Sequence, residues 1–301
     1  MLRWRLSLGA ILIAALVGLF WLDHRTTPPG VVLFPLVLLL AVLASSEIVE
    51  LLSAGRSIGP LRLVVYAGNV GIVGANWLAG LFPDGPLGAL GWPLAALALA
   101  VLAVFVGEMR RYEGPGEVAP RLGLSLVGLT YVGLLLSFMA QMRFLGPGQN
   151  GAWGIAAIAS MVVSVKLCDV GAYTVGRLIG RHKMAPVLSP GKTIEGALGG
   201  IVFACLGSWI ALEWLTPQIT GLSPRCAWAW IPYGILMGGA GMAGDLAESL
   251  LKRDAGRKDS SRWMPGFGGV LDLLDSLLFA APVAYLCWKC GLVDLIKVAG
   301  S

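Results

Sequence analysis

The stretch Val31–Ser53 reads VVLFPLVLLLAVLASSEIVELLS. A helix needs about 20 predominantly apolar residues to cross the hydrocarbon core of a bilayer, and this stretch has that length and character. The sequence therefore predicts an all-α, polytopic integral membrane helix bundle of about nine transmembrane helices. The eight other stretches that qualify, or nearly so, are Leu6–Leu22, Leu61–Phe82, Pro86–Gly107, Leu122–Gln141, Ala152–Gly176, Thr193–Leu215, Ala227–Leu251 and Gly269–Ile296.

The composition agrees with this prediction. Hydrophobic residues make up 57% of the chain, charged residues 13%, and the mean hydropathy is +0.80. In an average soluble domain about 25% of the residues are charged, so this chain is too apolar for that class. The first apolar stretch follows Arg3 and Arg5, as a signal peptide would. No small-residue cleavage pattern follows it, and we expect a retained helix.

The basic residues predict the orientation. With the N-terminus in the cytoplasm, a nine-helix arrangement places most of the 22 Lys and Arg residues in cytoplasmic segments. Basic loops stay on the cytoplasmic side, so we predict a cytoplasmic N-terminus. The excess charge of +5 would then face anionic lipid headgroups. We expect a bacterial inner membrane protein whose active site faces the cytoplasm.

Two regions differ in content. Residues 1–150 read as an N-terminal transmembrane scaffold of about five helices, with few charges inside the apolar stretches apart from Glu47 and Glu50. Residues 151–301 read as a C-terminal transmembrane catalytic region with two basic cytoplasmic loops. Nearly all of the reactive side chains fall in this second region.

Carboxylates inside predicted helices are the strongest functional signal. Each costs roughly 2.5–3.5 kcal/mol on insertion scales, so a buried acid is a functional hypothesis by default. In the predicted topology the acids gather on the cytoplasmic side, and two pairs have the i, i+3 spacing that puts both members on one helix face. They are Asp169, Glu195, the pair Asp245 and Glu248, and the pair Asp272 and Asp275.

This set of acids favours a hard divalent cation. Mg²⁺ binds a few carboxylates and leaves positions for water and substrate phosphate, and no cluster of His or Cys accompanies these acids. We therefore expect Mg²⁺ as the cofactor, and the sequence leaves open whether a second cation binds. The alternative is that the acids pair with nearby Lys or Arg for assembly alone.

Two basic, glycine-containing loops accompany the acids. The first, residues 176–196, includes Ser189-Pro190-Gly191-Lys192-Thr193 and leads into a helix. A serine, a lysine and free backbone N–H groups at a helix N-terminus favour phosphate binding, although the P-loop spacing is missing. The second, residues 249–269, links the two acid pairs. A solvated cytoplasmic loop would explain its charge but not the acids on either side.

At these residues the chain resembles the phosphatidate cytidylyltransferase family, also called CDP-diacylglycerol synthases. The family's C-terminal signature runs S-x-x-K-R, four residues, K-D, a small residue two further on, then P-x-H-G-G and D-R-x-D. Phe267 replaces its histidine and Leu273 its arginine, and Met264 is a milder departure. The matching residues are Ser249, Lys252, Arg253, Lys258, Asp259, Ser261, Pro265, Gly268, Gly269, Asp272 and Asp275, with further blocks at residues 169–173 and 189–196.

The resemblance implies roles for particular residues. Asp245 and Asp272 would bind the catalytic cation. Contacts to nucleotide or lipid phosphates would come from Lys252, Arg253, Lys258, Ser189 and Lys192. Four further residues complete the set of candidate substrate-binding residues: Asp169, Ser249, Asp259 and Asp275.

The reaction implied is CTP plus phosphatidate giving CDP-diacylglycerol and pyrophosphate. The expected partners are CTP, phosphatidate and membrane lipids, with no nucleic acid. The sequence leaves the oligomeric state open, with a homodimer as one candidate. It also leaves open the preference for acyl chain and nucleotide base.

Rival functions also fit the residues. A related CTP-dependent lipid kinase, or a nucleotidyltransferase acting on another lipid, would need the same phosphate-binding side chains. In an ion-coupled transporter the acids would bind coupling ions, but such sites lie near the midplane between inverted repeats, and neither feature is evident here. The departures at Phe267 and Leu273 also leave room for a protein that has lost activity.

Overall fold

A computed structural model describes residues 2–82, 86–146, 151–261 and 268–296 of the chain. Over these residues the backbone forms long helices, and each predicted apolar stretch overlaps one of them. The all-α class is therefore confirmed. The helices are α1 (Leu2–Arg25), α2 (Leu33–Ser53), α3 (Arg62–Leu81), α4 (Gly88–Arg111), α5 (Val118–Met142), α6 (Ala152–Ile179), α7 (Ile194–Thr220), α8 (Trp230–Asp254) and α9 (Val270–Lys289).

Six of the described helices are long and apolar enough to cross a membrane, which makes the protein a polytopic membrane protein. They are α2, α4, α5, α6, α7 and α9. Helices α5 and α7 each contain a π-helical turn. It spans Leu129–Leu134 in α5 and Ile210–Leu215 in α7.

Short strands interrupt the helical pattern at two places in the described chain. Strand β1 (Lys183–Ala185) pairs antiparallel with β2 (Ser189–Thr193), and β3 (Ser223–Pro224) pairs with β4 (Leu295–Ile296). The β1–β2 hairpin lies where the sequence predicts a plain loop. It forms because the chain reverses over residues 186–188, which brings Ala185 opposite Ser189.

The chain divides into two compact units. The first unit comprises Met1–Gln141 and Leu251–Leu273, and the second comprises Met142–Leu250 and Leu274–Ser301. The boundaries between the units fall at the end of α5 and within α8 and α9.

The core of the first unit combines apolar packing with paired polar groups. The apolar cluster consists of Leu61, Ile72, Ala100, Val104 and Leu129. Buried amides add hydrogen bonds between helices: Asn69 Nδ2 donates to Ser45 Oγ at 2.8 Å, and Asn76 Nδ2 donates to Ser137 Oγ at 2.8 Å. Such bonds between helices fix their register where apolar packing alone would allow sliding.

In the second unit, small residues let helices approach closely. A Cβ atom added at Gly234 of α8 would lie 2.5 Å from the Cα atom of Cys205 in α7. Nearby, the hydroxyls of Tyr233 and Ser160 lie 2.8 Å apart, and Trp288 Nε1 donates to Ser160 Oγ at 3.3 Å. Tyr233 and Ser160 are fully buried, so their hydroxyls find their hydrogen-bond partners inside the unit and not in solvent.

Candidate active site

In the first unit, Asp272 is the centre of a group of polar side chains that we call the Asp272 group: Lys252, Ser260 and Asp272. Lys252 Nζ donates to Asp272 Oδ1 at 2.7 Å. Ser260 donates twice to Asp272 Oδ2, from its backbone N at 2.9 Å and from its hydroxyl at 2.6 Å. The Lys252 and Asp272 side chains are only 12% and 14% exposed, so this ion pair is largely shielded from water.

The start of α9 explains the position of Asp272. The first backbone N–H groups of a helix have no partner within it, and an acid in the first turn interacts favourably with them and with the helix dipole. Asp272 accepts the N–H of Gly269 at 2.8 Å. Gly268 has φ +82, and a Cβ atom there would clash with the Asp272 carboxylate. Glycine is therefore required at this position.

The basic loop before α9 supplies only part of the predicted contacts. Lys258 and Asp259 are exposed, and among the described residues neither contacts Asp272. Arg253 is exposed and donates to the backbone oxygen of Arg257 at 3.3 Å. The structure thus brings Lys252 and Asp272 together and leaves Arg253, Lys258 and Asp259 at the surface.

The end of this loop, residues 262–267, lies outside the described residues. Phe267, which stands where the family signature has histidine, falls in this segment, as do Met264 and Pro265. Leu273, which replaces the signature arginine, is described. It lies half-buried in the first turn of α9.

In the second unit, carboxylates and lysines form what we call the Asp245 group: Lys166, Asp169, Lys192, Asp245 and Asp275. Lys192 Nζ lies 2.8 Å from Asp245 Oδ2, and Lys166 Nζ donates to Asp169 Oδ2 at 3.1 Å. The negative charge of Asp245 acts on both Asp169 and Asp275. Three acids and two lysines of this unit therefore interact electrostatically.

Lys192 has unused hydrogen-bonding capacity. Its Nζ atom is buried, and no acceptor among the described residues is aligned for a hydrogen bond with it, although the oxygen of Asp245 is 2.8 Å away. Lys192 and Asp245 therefore form an ion pair whose geometry is not that of a hydrogen bond. An ammonium group carries three donors, so Lys192 has donors available for a phosphate.

The β1–β2 hairpin holds Lys192 in place. Glu195, in the first turn of α7, accepts the backbone N–H of Arg181 at 3.0 Å and lies 2.6 Å from His182 Nδ1. Thr193 caps α7, since its hydroxyl accepts the N–H of Gly196 at 3.1 Å. Glu195 thus secures the hairpin, which carries both Ser189 and Lys192.

The remaining predicted residues of the second unit lie in α8, which carries Glu248 and Ser249, and in α9, which carries Asp275. Ser249 is nearly buried, and its Oγ atom is 3.5 Å from Asp245 Oδ1, at the outer limit for a hydrogen bond. Glu248 is fully buried. Asp275 is 8% exposed and accepts hydrogen bonds from the backbone N and the hydroxyl of Ser276.

The carboxylates present suit a hard cation. Mg²⁺ commonly takes one or two carboxylates and completes its shell with water and substrate phosphates. Asp272 Oδ1 accepts from Lys252 alone among the described residues, so it has a lone pair to offer. No group of three or more His, Cys, Asp or Glu side chains that could hold a metal occurs in the described chain.

Sequence reasoning missed two residues of the first unit, Ser260 and Glu47. Glu47 of α2 accepts a hydrogen bond from Ser260, and the sequence analysis gave it no role. The available signal was a carboxylate within the apolar stretch of α2, which is costly in a membrane helix.

A separate cavity of about 960 Å³ in the first unit lies between the α2–α3 and α4–α5 connections. Its lining includes Arg56, Arg62, Arg110, Arg111 and Arg121, together with Glu108. None of the predicted site residues is among the described residues that line it. The predicted site residues thus lie in the Asp272 and Asp245 groups and not at this cavity.

Comparison with known proteins adds an independent observation. Residues 3–290 match the model of a family described as the cytidylyltransferase family. The chain is 31% identical to a phosphatidate cytidylyltransferase of Mycobacterium bovis over 290 residues, which is 93% of this chain and 85% of that protein.

Other relatives match over a shorter region. A phosphatidate cytidylyltransferase of Synechocystis is 36% identical over 187 residues, or 54% of this chain. An uncharacterised protein of Escherichia coli is 36% identical over 194 residues, or 64% of this chain. The chain spans 60% of the length of each of these two relatives.

Proposed function

The chain belongs to the cytidylyltransferase family, and on that premise we propose that it transfers the CMP moiety of CTP to phosphatidate, giving CDP-diacylglycerol and pyrophosphate. One observation carries the proposal. Each aspartate that the family resemblance assigns to the cation is paired with a lysine that the resemblance assigns to phosphate. Lys252 lies 2.7 Å from Asp272, and Lys192 lies 2.8 Å from Asp245.

The chemistry needs charge and positioning more than proton transfer. A phosphate monoester has a second pKa of about 6, so the lipid phosphate is largely dianionic at neutral pH and needs no general base. One of its oxygens attacks the α-phosphorus of CTP, and the bond from that phosphorus to the bridging oxygen of the β-phosphate breaks. Pyrophosphate leaves with the electron pair of that bond.

The protein must hold two anions that repel each other. In this proposal the ammonium groups of Lys192 and Lys252 bind phosphate oxygens, and the exposed Arg253 and Lys258 add contacts to nucleotide or lipid phosphates. Fixed cationic donors stabilise charge that develops in phosphoryl transfer. Five further residues are proposed to bind or orient the substrates: Ser189, Asp169, Ser249, Asp259 and Asp275.

Asp245 and Asp272 are each proposed to bind a divalent cation such as Mg²⁺. When bound, the cation neutralises phosphate charge and favours departure of pyrophosphate. The lysine beside each aspartate then has a second role, since it compensates the carboxylate charge in the absence of the cation. A buried carboxylate without either partner would be costly.

We further propose nine membrane spans with a cytoplasmic N-terminus, an active site on the cytoplasmic face and a location in the bacterial inner membrane. The support is the excess of Lys and Arg in segments that this topology makes cytoplasmic. This orientation also gives the site access to cytosolic CTP.

The test uses purified protein in detergent with phosphatidate, Mg²⁺ and CTP labelled at either the α- or the γ-phosphorus. We expect label in the lipid product from α-labelled CTP alone, and release of pyrophosphate. Label in lipid from γ-labelled CTP would instead show a lipid kinase. No lipid labelling from either nucleotide would contradict both activities.

A further inference from the structure

The buried carboxylate of Glu47 binds the start of α9. Glu47 is 4% exposed, although it lies in the apolar helix α2. Its Oε1 atom accepts the N–H of Val270 at 2.9 Å, and its Oε2 atom accepts the N–H of Leu271 at 2.8 Å. These are two of the backbone donors that the first turn of a helix leaves unpaired. Glu47 therefore caps α9 from another helix.

Glu47 also reaches the Asp272 group through Ser260. The hydroxyl of Ser260 lies 2.9 Å from Glu47 Oε2 and 2.6 Å from Asp272 Oδ2, and Ser260 is fully buried. A hydroxyl has one proton, so at any moment it donates to one of the two carboxylates and accepts nothing from the other. The backbone N–H of Ser260 donates to Asp272 as well. Ser260 is thus held between two acids.

The packing leaves little freedom for this arrangement to change. A Cβ atom added at Gly269 would clash with Glu47 Oε2 and with the Ser260 hydroxyl. The backbone therefore approaches the Glu47 carboxylate as closely as glycine permits. With α9, Ser260 and Gly269 fixed, Asp272 Oδ2 accepts the backbone N–H groups of Ser260 and Gly269 and lies beside the Ser260 hydroxyl, and Oδ1 accepts from Lys252.

We propose that Glu47 is a positioning residue for the reaction: it fixes the start of α9 and Ser260 so that Asp272 presents Oδ1 to Lys252 and to a divalent cation. This inference rests on the proposed role of Asp272 in binding the cation. Glu47 itself touches neither substrate nor cation in the proposal. Groups that orient a metal ligand in this way typically contribute about 10-fold to 100-fold in metal affinity or activity.

The experiment compares Glu47→Gln with Glu50→Gln. Glu50 lies one turn further along α2 at the surface, 3.5 Å from Arg257, and provides a matched control. The first measurement is Mn²⁺ binding to the purified protein by electron paramagnetic resonance, which does not depend on turnover. We expect Glu47→Gln to weaken Mn²⁺ binding about 10-fold or more, and Glu50→Gln to leave it unchanged.

The second measurement separates positioning from folding. We expect Glu47→Gln to lower kcat about 10-fold to 100-fold at subsaturating Mg²⁺, with a smaller loss at saturating Mg²⁺ and a KM for CTP within a few-fold of wild type. Ser260→Ala should reproduce the loss of Mn²⁺ affinity, and it tests the proposal even if Glu47→Gln does not fold. Unchanged Mn²⁺ binding in a folded Glu47→Gln or Ser260→Ala protein would overturn the inference, because Glu47 would then be a helix cap only.

The same data distinguish this inference from the proposed function. If the wild-type protein makes no liponucleotide but Glu47→Gln still weakens Mn²⁺ binding, the proposed function fails and the positioning role of Glu47 stands. If the wild-type protein is active and Glu47→Gln matches it in both Mn²⁺ binding and Mg²⁺ dependence, the proposed function stands and the positioning role fails.

Discussion

At the scale of single residues, the proposed function depends on aspartates that each pair with a lysine and still have an oxygen lone pair to offer a cation. Sequence reasoning identified Asp245, Asp272, Lys192 and Lys252 because carboxylates in apolar helices are costly and because the family pattern includes them. It could not identify which lysine pairs with which acid. Lys192 and Asp245 are 53 positions apart in the numbering, and only the folded hairpin brings them to 2.8 Å.

Replacing Asp272 by asparagine should lower turnover at least about 100-fold, because the neutral amide is a poor cation ligand and leaves the Lys252 charge uncompensated. The measurement is liponucleotide synthesis by the purified variant, together with its elution profile in detergent as a check of folding. Asp245→Asn should behave likewise. Near-normal turnover in either folded variant would contradict the assignment of that aspartate to the cation.

Replacing Lys192 by alanine should lower kcat/KM for CTP about 100-fold, since it removes a cationic donor proposed to bind phosphate and leaves Asp245, 2.8 Å from its Nζ atom, without its lysine partner. Lys183→Ala is the matched control, because Lys183 lies on the paired strand of the same hairpin and is exposed. We expect Lys183→Ala to retain wild-type kinetics. Equal effects of the two substitutions would mean that the hairpin contributes only general positive charge.

At the scale of elements, the sequence predicted where helices lie but not how closely they pack. The apolar stretches identified α1 to α9 because a long apolar run in a bilayer must form a helix to pair its own backbone N–H and C=O groups. Strands β1 and β2 were missed, since so short a hairpin has no periodic pattern and its pairing depends on the turn at residues 186–188. The cap that Glu47 provides to α9 joins distant parts of the chain, so the sequence shows an acid in an apolar stretch but not the helix that this acid caps.

Helix packing in the second unit gives a stability prediction. Gly234→Ala should lower the melting temperature in detergent, because its Cβ atom would lie 2.5 Å from the Cα atom of Cys205, and overpacking typically costs about 1–3 kcal/mol. Gly239→Ala, on the same helix, has nothing within 4 Å and should leave the melting temperature unchanged or slightly raised. A Gly234→Ala protein as stable as Gly239→Ala would show that α7 and α8 pack less tightly than described.

At the scale of the whole molecule, the sequence specified an all-α membrane protein, and the helices and the family match agree with it. The number of spans rests on the length of the apolar stretches. Their orientation rests on the charge distribution, which acts during insertion and is not recorded in the packing of helices. Chemical labelling therefore tests these points better than further structural comparison.

The proposed topology predicts which cysteines an impermeant thiol reagent reaches in intact spheroplasts. Native Cys226 is exposed and lies between α7 and α8, on the side opposite to the proposed active site, so a protein that keeps only this cysteine should be labelled from outside. A cysteine introduced at Val187, which is 86% exposed in the β1–β2 turn, should be labelled only after permeabilisation. The reverse pattern would invert the orientation and place the site away from cytosolic CTP.

The proposed activity is tested by transfer of label from α-labelled CTP to phosphatidate by the purified wild-type protein with Mg²⁺. We expect CDP-diacylglycerol and pyrophosphate in equal amounts, loss of both products on chelation of the cation, and their return when Mg²⁺ is restored. A folded wild-type protein that forms no liponucleotide under these conditions would contradict the account.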